Sequence, residues 1–208
     1  MSPREQALSK RPEARQWVSA ATNALNQVIG FNGKRSEIDN LPQFKALKTH
    51  FHVSLGPPPS FLKLLLSLLP GSSGEVDPTL AILKEIRFRY FDLMRPLSQD
   101  SIFRDAPAEG EGKDATAFVP MKRDGTIRIT PNYMKVGPLN QTLVLVHEAT
   151  HFLSDAFQDF AYRDRTGEDD PNKYINLPVQ FAIRNADSYA YFTLQTAKGI
   201  DRILTHDE

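Results

Sequence analysis

One stretch constrains this chain more than any other. Leu143, Val144, Leu145 and Val146 run directly into His147, Glu148, Ala149, Thr150 and His151. An apolar run of this kind asks for a buried helix, with Asn140 as its expected N-cap. Two imidazoles and a carboxylate inside a core are costly unless something pairs them. On a helix, His147 and His151 stand one turn apart on one face, where both reach a single metal ion. Glu148 then lies beside that ion, placed to take a proton from a water activated there. Residue types and spacing together point to a zinc hydrolase site.

A catalytic zinc wants three protein ligands and one open position. Cysteine is absent from the 208 residues, so the third ligand is not a thiolate and no disulfide braces the fold. The remaining histidines are His50, His52 and His206, and Thr49 to His52 alternates so that two imidazoles would share one side of a strand. The carboxylates after the motif are Asp155, Asp159 and Asp164. Asp155, continuing the same helix, would stand about 12 Å along the axis from His147 at roughly 1.5 Å per residue, too far for one ion. Asp159 and Asp164 return to it only if the helix stops soon after His151, yet no Gly or Pro lies between Phe152 and Phe160 to stop it. The residues alone leave the third ligand open.

The rest of the chain reads as a mainly helical protein with a small sheet. A helix is expected from Pro12 to Ile29, its apolar face carried by Trp17, Val18, Ala21, Leu25 and Val28, and ended by Gly30 and Asn32-Gly33. Phe44 to Leu55 is ambiguous. Gly56 to Ser60, with three prolines, is a break, and Phe61 to Leu69 reads as a short buried helix closed by Pro70 to Gly74. Thr79 to Leu97 has helical spacing between Pro78 and Pro96. Ala115 to Met121 and Thr126 to Tyr133 are rich in β-branched and aromatic residues and meet at Asp124-Gly125, a hairpin signal. The length suits one domain over 1–208, with a helical N-terminal part (1–110) and a catalytic part (111–208).

Lys and Arg total 25 against 25 for Asp and Glu, and no basic cluster stands out, so nucleic acid is not the expected partner. The longest apolar stretch, Phe61 to Leu69, is about half of the roughly 20 residues needed to span a bilayer. The charged first thirty residues lack a signal-peptide core. The expectation is a cytoplasmic protein, or one exported without a cleaved signal.

Three blocks, His147 to Phe152, Asp159-Phe160-Ala161-Tyr162 and Asn185 to Phe192, together resemble the aspzincin metallopeptidases, the deuterolysin and lysine-specific metalloendopeptidase group. Their order matches, and the resemblance covers about residues 115 to 192. It implies an α+β zincin-like fold with a small β-sheet over the active-site helix. It also implies one zinc per chain and a peptide or protein substrate. The resemblance makes Asp159 the third metal ligand beside His147 and His151, and Tyr162 the hydroxyl that steadies the oxyanion. Asp187 is implied as a substrate-binding acid and held as the reserve ligand. The family's Gly-Thr before the ligand Asp is Phe157-Gln158 here, the spacing to that Asp is one residue shorter, and Ala190 replaces an acid that accompanies lysine preference. Two other readings fit the same residues: a zincin-fold binding protein that hydrolyses nothing, and a delivered toxin with one narrow protein target.

Overall fold

The computed structural model describes residues 1–55, 78–107, 109–163 and 174–208. Gly56 to Ser60, the expected helix at Phe61 to Leu69, Pro70 to Gly74 and Asp164 lie outside those residues.

Helix α1 spans Pro3–Ile29 rather than starting at Pro12. The signal for the earlier start is local. Ser2 accepts from the Glu5 N–H, Glu5 accepts in return from the Ser2 N–H, and Pro3 occupies the first turn. Pro12 is therefore inside a helix. The cost of its missing N–H is offset by burial of Ala7, Ala14, Trp17, Val18, Ala21, Leu25 and Val28 along one face. Each fully buried large apolar side chain contributes about 1.5–3 kcal/mol, against about 3 kcal/mol for an interior proline.

A short helix α2 (Arg35–Ile38) leads to α3 (Pro42–Phe51), and His52 leaves α3 in the left-handed conformation at φ 54°. The expected strand alternation of His50 and His52 is thus overturned. Helix α4 spans Pro78–Leu93, and Pro96 opens a 3₁₀ turn just beyond it, as the two prolines predict.

The sheet has strands β1 (Phe103–Asp105), β2 (Ala117–Phe118) and β3 (Ile127–Ile129), in the order β1-β3-β2. The hairpin expected at Asp124-Gly125 is present, with Ala117 opposite Ile129 and Phe118 opposite Arg128. Gly125 takes φ 73° in its loop, a conformation that suits glycine. Strand β1 pairs parallel to β3, Phe103 opposite Ile127, and had no sequence signal of its own. Phe103, Ala117, Ile127 and Ile129 bury one face of the sheet against the helices.

Helix α5, the active-site helix, spans Pro138–Leu153 and is N-capped by Gly137, not Asn140. A side chain at Gly137 has no room: an added Cβ would lie 2.1 Å from the Asp207 carbonyl oxygen. After the short α6 (Val179–Ala182), helix α7 runs Ala186–Lys198 and packs on α5, as expected for the third block. Helix α1 lies against both α5 and α7, so all three share one apolar core. No described helix is long and apolar enough to cross a membrane.

Candidate metal centre and active site

The site depends on where α5 stops. Its last residue is Leu153, and Ser154 is already extended (φ −169°, ψ 161°). The Ser154 hydroxyl accepts from the Ala156 N–H at 3.1 Å, a local turn that competes with continued helix. Phe157 is then buried, edge-on to Tyr189 with ring centroids 5.5 Å apart. Gln158 pairs with the segment before α7, its N–H donating to the Arg184 carbonyl at 3.0 Å and its carbonyl accepting from the Ala186 N–H at 3.2 Å. Asn185 Oδ1 accepts from the Ala161 N–H at 3.2 Å. The chain after α5 is thereby folded back over it, with Asp159 held between two anchored neighbours. The Phe157-Gln158 pair that departs from the family pattern supplies this anchoring here.

His147 Nε2, His151 Nε2 and Asp159 Oδ1 converge. The two nitrogens are 3.1 Å apart, and the oxygen lies 3.1 Å from His147 and 3.0 Å from His151. Atoms bound to one tetrahedral zinc at about 2.05 Å are separated by about 3.3 Å, close to this triangle. The outer ring nitrogens are engaged too. His147 Nδ1 bonds Asp187 Oδ1 at 2.8 Å, and His151 Nδ1 bonds the Phe157 carbonyl at 3.1 Å. A carbonyl only accepts, so His151 Nδ1 carries a proton and, in the neutral ring, Nε2 turns a lone pair inward. Two inward imidazoles and a carboxylate then need a shared cation, and this donor set fits zinc. Burial works against a charged His147, but the bonds to Asp159 and Asp187 outweigh it and hold its pKa well above the usual histidine range. Burial also opposes ionisation of Asp159, and the two imidazoles more than reverse that. Both directions express the same demand for positive charge.

Glu148, 8% exposed, lies on α5 beside the triangle. Burial pushes its carboxyl above the usual glutamate range, against the pull of His147, His151 and the Val119 N–H. Tyr162 donates its hydroxyl to Asp159 Oδ2 at 2.6 Å and stacks on His147, ring centroids 6.0 Å apart and 12° from parallel. These five expected residues therefore share one cleft of about 1040 Å³.

Asp187 lines the same cleft. Its Oδ1 holds His147 Nδ1, and its Oδ2 accepts from the Arg163 N–H at 2.8 Å. It stands behind His147, outside the ligand triangle, with both oxygens bonded inside the protein. The other candidate ligands stand outside the triangle, Asp155 and His206 lining the same cleft without converging on it. His50 is fully buried, bonding Tyr174 Oη at 2.6 Å and Gln195 at 2.7 Å, and burial lowers its pKa to about 3. His52 Nε2 bonds the Tyr174 carbonyl at 2.8 Å. His206 is exposed, and Asp155 forms an ion pair with Arg123.

Arg123 is a residue that sequence reasoning missed. From the hairpin loop it donates to the His151 carbonyl at 2.7 Å and the Phe152 carbonyl at 3.4 Å, satisfying the end of α5 where it breaks. Nothing local in the sequence marks that contact. Asn185, just before α7, had a better signal as a buried polar residue in the third block.

A sequence model of the aspzincin family, described as lysine-specific metallo-endopeptidase, matches residues 90–194. A solved zinc peptidase from Grifola frondosa aligns over 91% of this chain and 97% of its own, at 18% identity and a TM-score of 0.41, a likeness that carries no weight here. No curated protein sequence matches. The family match spans the hairpin, the metal triangle and the third block together, and on it the chain belongs to the aspzincin family and is a zinc metallopeptidase.

Proposed function

We propose that this protein is an endopeptidase in which His147, His151 and Asp159 hold the zinc, Glu148 is the general base and Tyr162 is the oxyanion donor. The observation that carries this reading is the convergence of His147 Nε2, His151 Nε2 and Asp159 Oδ1, all within about 3 Å of one another, with Glu148 buried on the same helix. Zinc, when bound, supplies Lewis acidity toward water and toward the scissile carbonyl. Glu148 accepts the proton of the attacking water and returns it to the leaving amine, its buried place on α5 beside the ligands setting it within reach. The Tyr162 hydroxyl leaves Asp159 Oδ2 and donates to the oxygen on which charge develops. Asp187 orients His147 through Nδ1 and keeps its Nε2 turned inward.

Lysine specificity, named in the family's description, is not part of the proposal. Asp187 is engaged by His147 and Arg163, and the position where a second acid would stand is Ala190, fully buried. A binding protein without hydrolysis has no use for a buried Glu148 next to the metal ligands, so the enzymatic reading is preferred over it. Glu148→Gln tests the mechanism. Peptide cleavage is expected to fall about 10²–10⁴-fold with zinc retained, whereas a Glu148→Gln protein of wild-type activity contradicts it.

A further inference from the structure

The floor of the cleft is one stripe of helix α5. Asn140, Leu143, Val144, His147, Glu148 and His151 all line it, and their spacings of 3, 4, 7, 8 and 11 residues from Asn140 put them on a single face. The C-terminal half of that stripe carries the chemistry. Its N-terminal half carries Leu143 and Val144 beyond Asn140, and the apolar members of the cleft wall are Phe118 from the edge strand β2, Val136 from the turn before α5, and Leu204 from the chain after α7, beside the polar Asp114, Thr116 and His206. Leu204 is held there by backbone bonds on either side of the helix N-terminus. Asn140 Nδ2 donates to the Thr205 carbonyl at 2.6 Å, and the Gly137 N–H donates to the His206 carbonyl at 2.9 Å. Leu143 lies about 6 Å along the axis from His147, at roughly 1.5 Å per residue. An extended peptide advances about 3.3 Å per residue, so a side chain close to the scissile bond falls over this end.

We propose that this end of the cleft is a subsite for an apolar side chain, leucine- or phenylalanine-sized, of the peptide substrate. It rests on the peptidase reading above and supplies the substrate class that reading leaves out. Leu143, Val144, Phe118, Val136 and Leu204 give the occupant apolar surface, and the polar residue of that stripe, Asn140, is uncharged and already donates its Nδ2 to the Thr205 carbonyl. A lysine or aspartate held against those five side chains loses hydration that they do not replace. Continuity with the metal centre identifies the occupant as part of the molecule being cleaved rather than a separate partner.

The test uses zinc-loaded full-length protein and fluorogenic peptides carrying Leu, Phe, Lys or Asp at each of three positions on either side of the scissile bond. At one position Leu and Phe are expected to be cleaved at least about tenfold better than Lys and Asp, the scale of discrimination an apolar pocket supplies. Val144→Asp is expected to abolish that preference or turn it toward Lys, and Leu204→Ala to weaken it. Preference for Lys at every position, or an apolar preference untouched by both variants, overturns the subsite. Labelled peptides of the same series are also bound to Glu148→Gln, followed by fluorescence anisotropy. If no peptide is cleaved, apolar-selective binding that Val144→Asp removes upholds the subsite while the peptidase reading fails. Unselective or absent binding overturns the subsite itself.

Discussion

In the proposed site Asp187 acts on the metal through His147. With Oδ1 on His147 Nδ1 and Oδ2 on the Arg163 N–H, it fixes both the tautomer and the tilt of the ring that must present Nε2 inward. Such outer partners typically contribute about 10–100-fold in metal affinity. Asp187→Asn is therefore expected to weaken zinc binding by that factor in a competition titration with a chromophoric chelator, without unfolding the protein. A loss of lysine selectivity with unchanged zinc affinity would instead return Asp187 to a substrate role. Tyr162 separates in another way, because in the proposed mechanism its hydroxyl acts on the transition state. Tyr162→Phe is expected to lower kcat by about 10²-fold with KM little changed, measured on any peptide that the wild type cleaves. The proposed roles of His147, Glu148 and His151 are legible in sequence because a four-residue spacing on a helix is local. Those of Asp159 and Asp187 are not, since each depends on a chain reversal and a helix contact that spacing does not encode.

At the scale of elements, the decisive feature is the end of α5 at Leu153. Neither Gly nor Pro marks it, which is why the sequence left the third ligand open. The stop is made by three weak signals acting together: the Ser154 turn, the burial of Phe157 and the Arg123 clamp on the His151 and Phe152 carbonyls. Phe157→Ala is expected to cost about 3–5 kcal/mol in chemical denaturation and to weaken zinc binding, because the Asp159 segment loses its anchor. An unchanged zinc affinity would show that Gln158 and Asn185 hold Asp159 by themselves. The same contrast between local and non-local signals runs through the other elements. The β2-β3 hairpin and helix α4 were legible from Asp124-Gly125 and from the flanking prolines. Strand β1 was not, because three residues pairing in parallel with a partner more than twenty positions away leave no periodicity. Pro12 misled for the opposite reason, a true helix-start residue lying inside a helix that Ser2 and Glu5 had already begun.

Across the whole molecule, the N-terminal helix is built into the catalytic part. Arg4 donates from its backbone to Asp105 at 2.7 Å and from its guanidinium to the Phe103 carbonyl at 2.8 Å, tying the start of α1 to β1. Further along, Gln6 bonds Gln141 and the Thr142 hydroxyl donates to Glu13, tying α1 to the active-site helix. The parts 1–110 and 111–208 of the single expected domain share α1 as a wall of the active-site core. Residues 111–208 expressed alone are expected to lack a cooperative thermal transition and to bind zinc weakly, checked by calorimetry and titration. A folded, zinc-binding fragment would contradict that.

Zinc stoichiometry measures the central claim most directly. Elemental analysis of the purified wild type beside His151→Ala and Asp159→Ala is expected to give about one zinc per chain, lost from both variants while their circular dichroism stays that of a folded protein. Asp159→Ala retaining a full equivalent of zinc would contradict the account, because the triangle of His147, His151 and Asp159 would then not be the metal site.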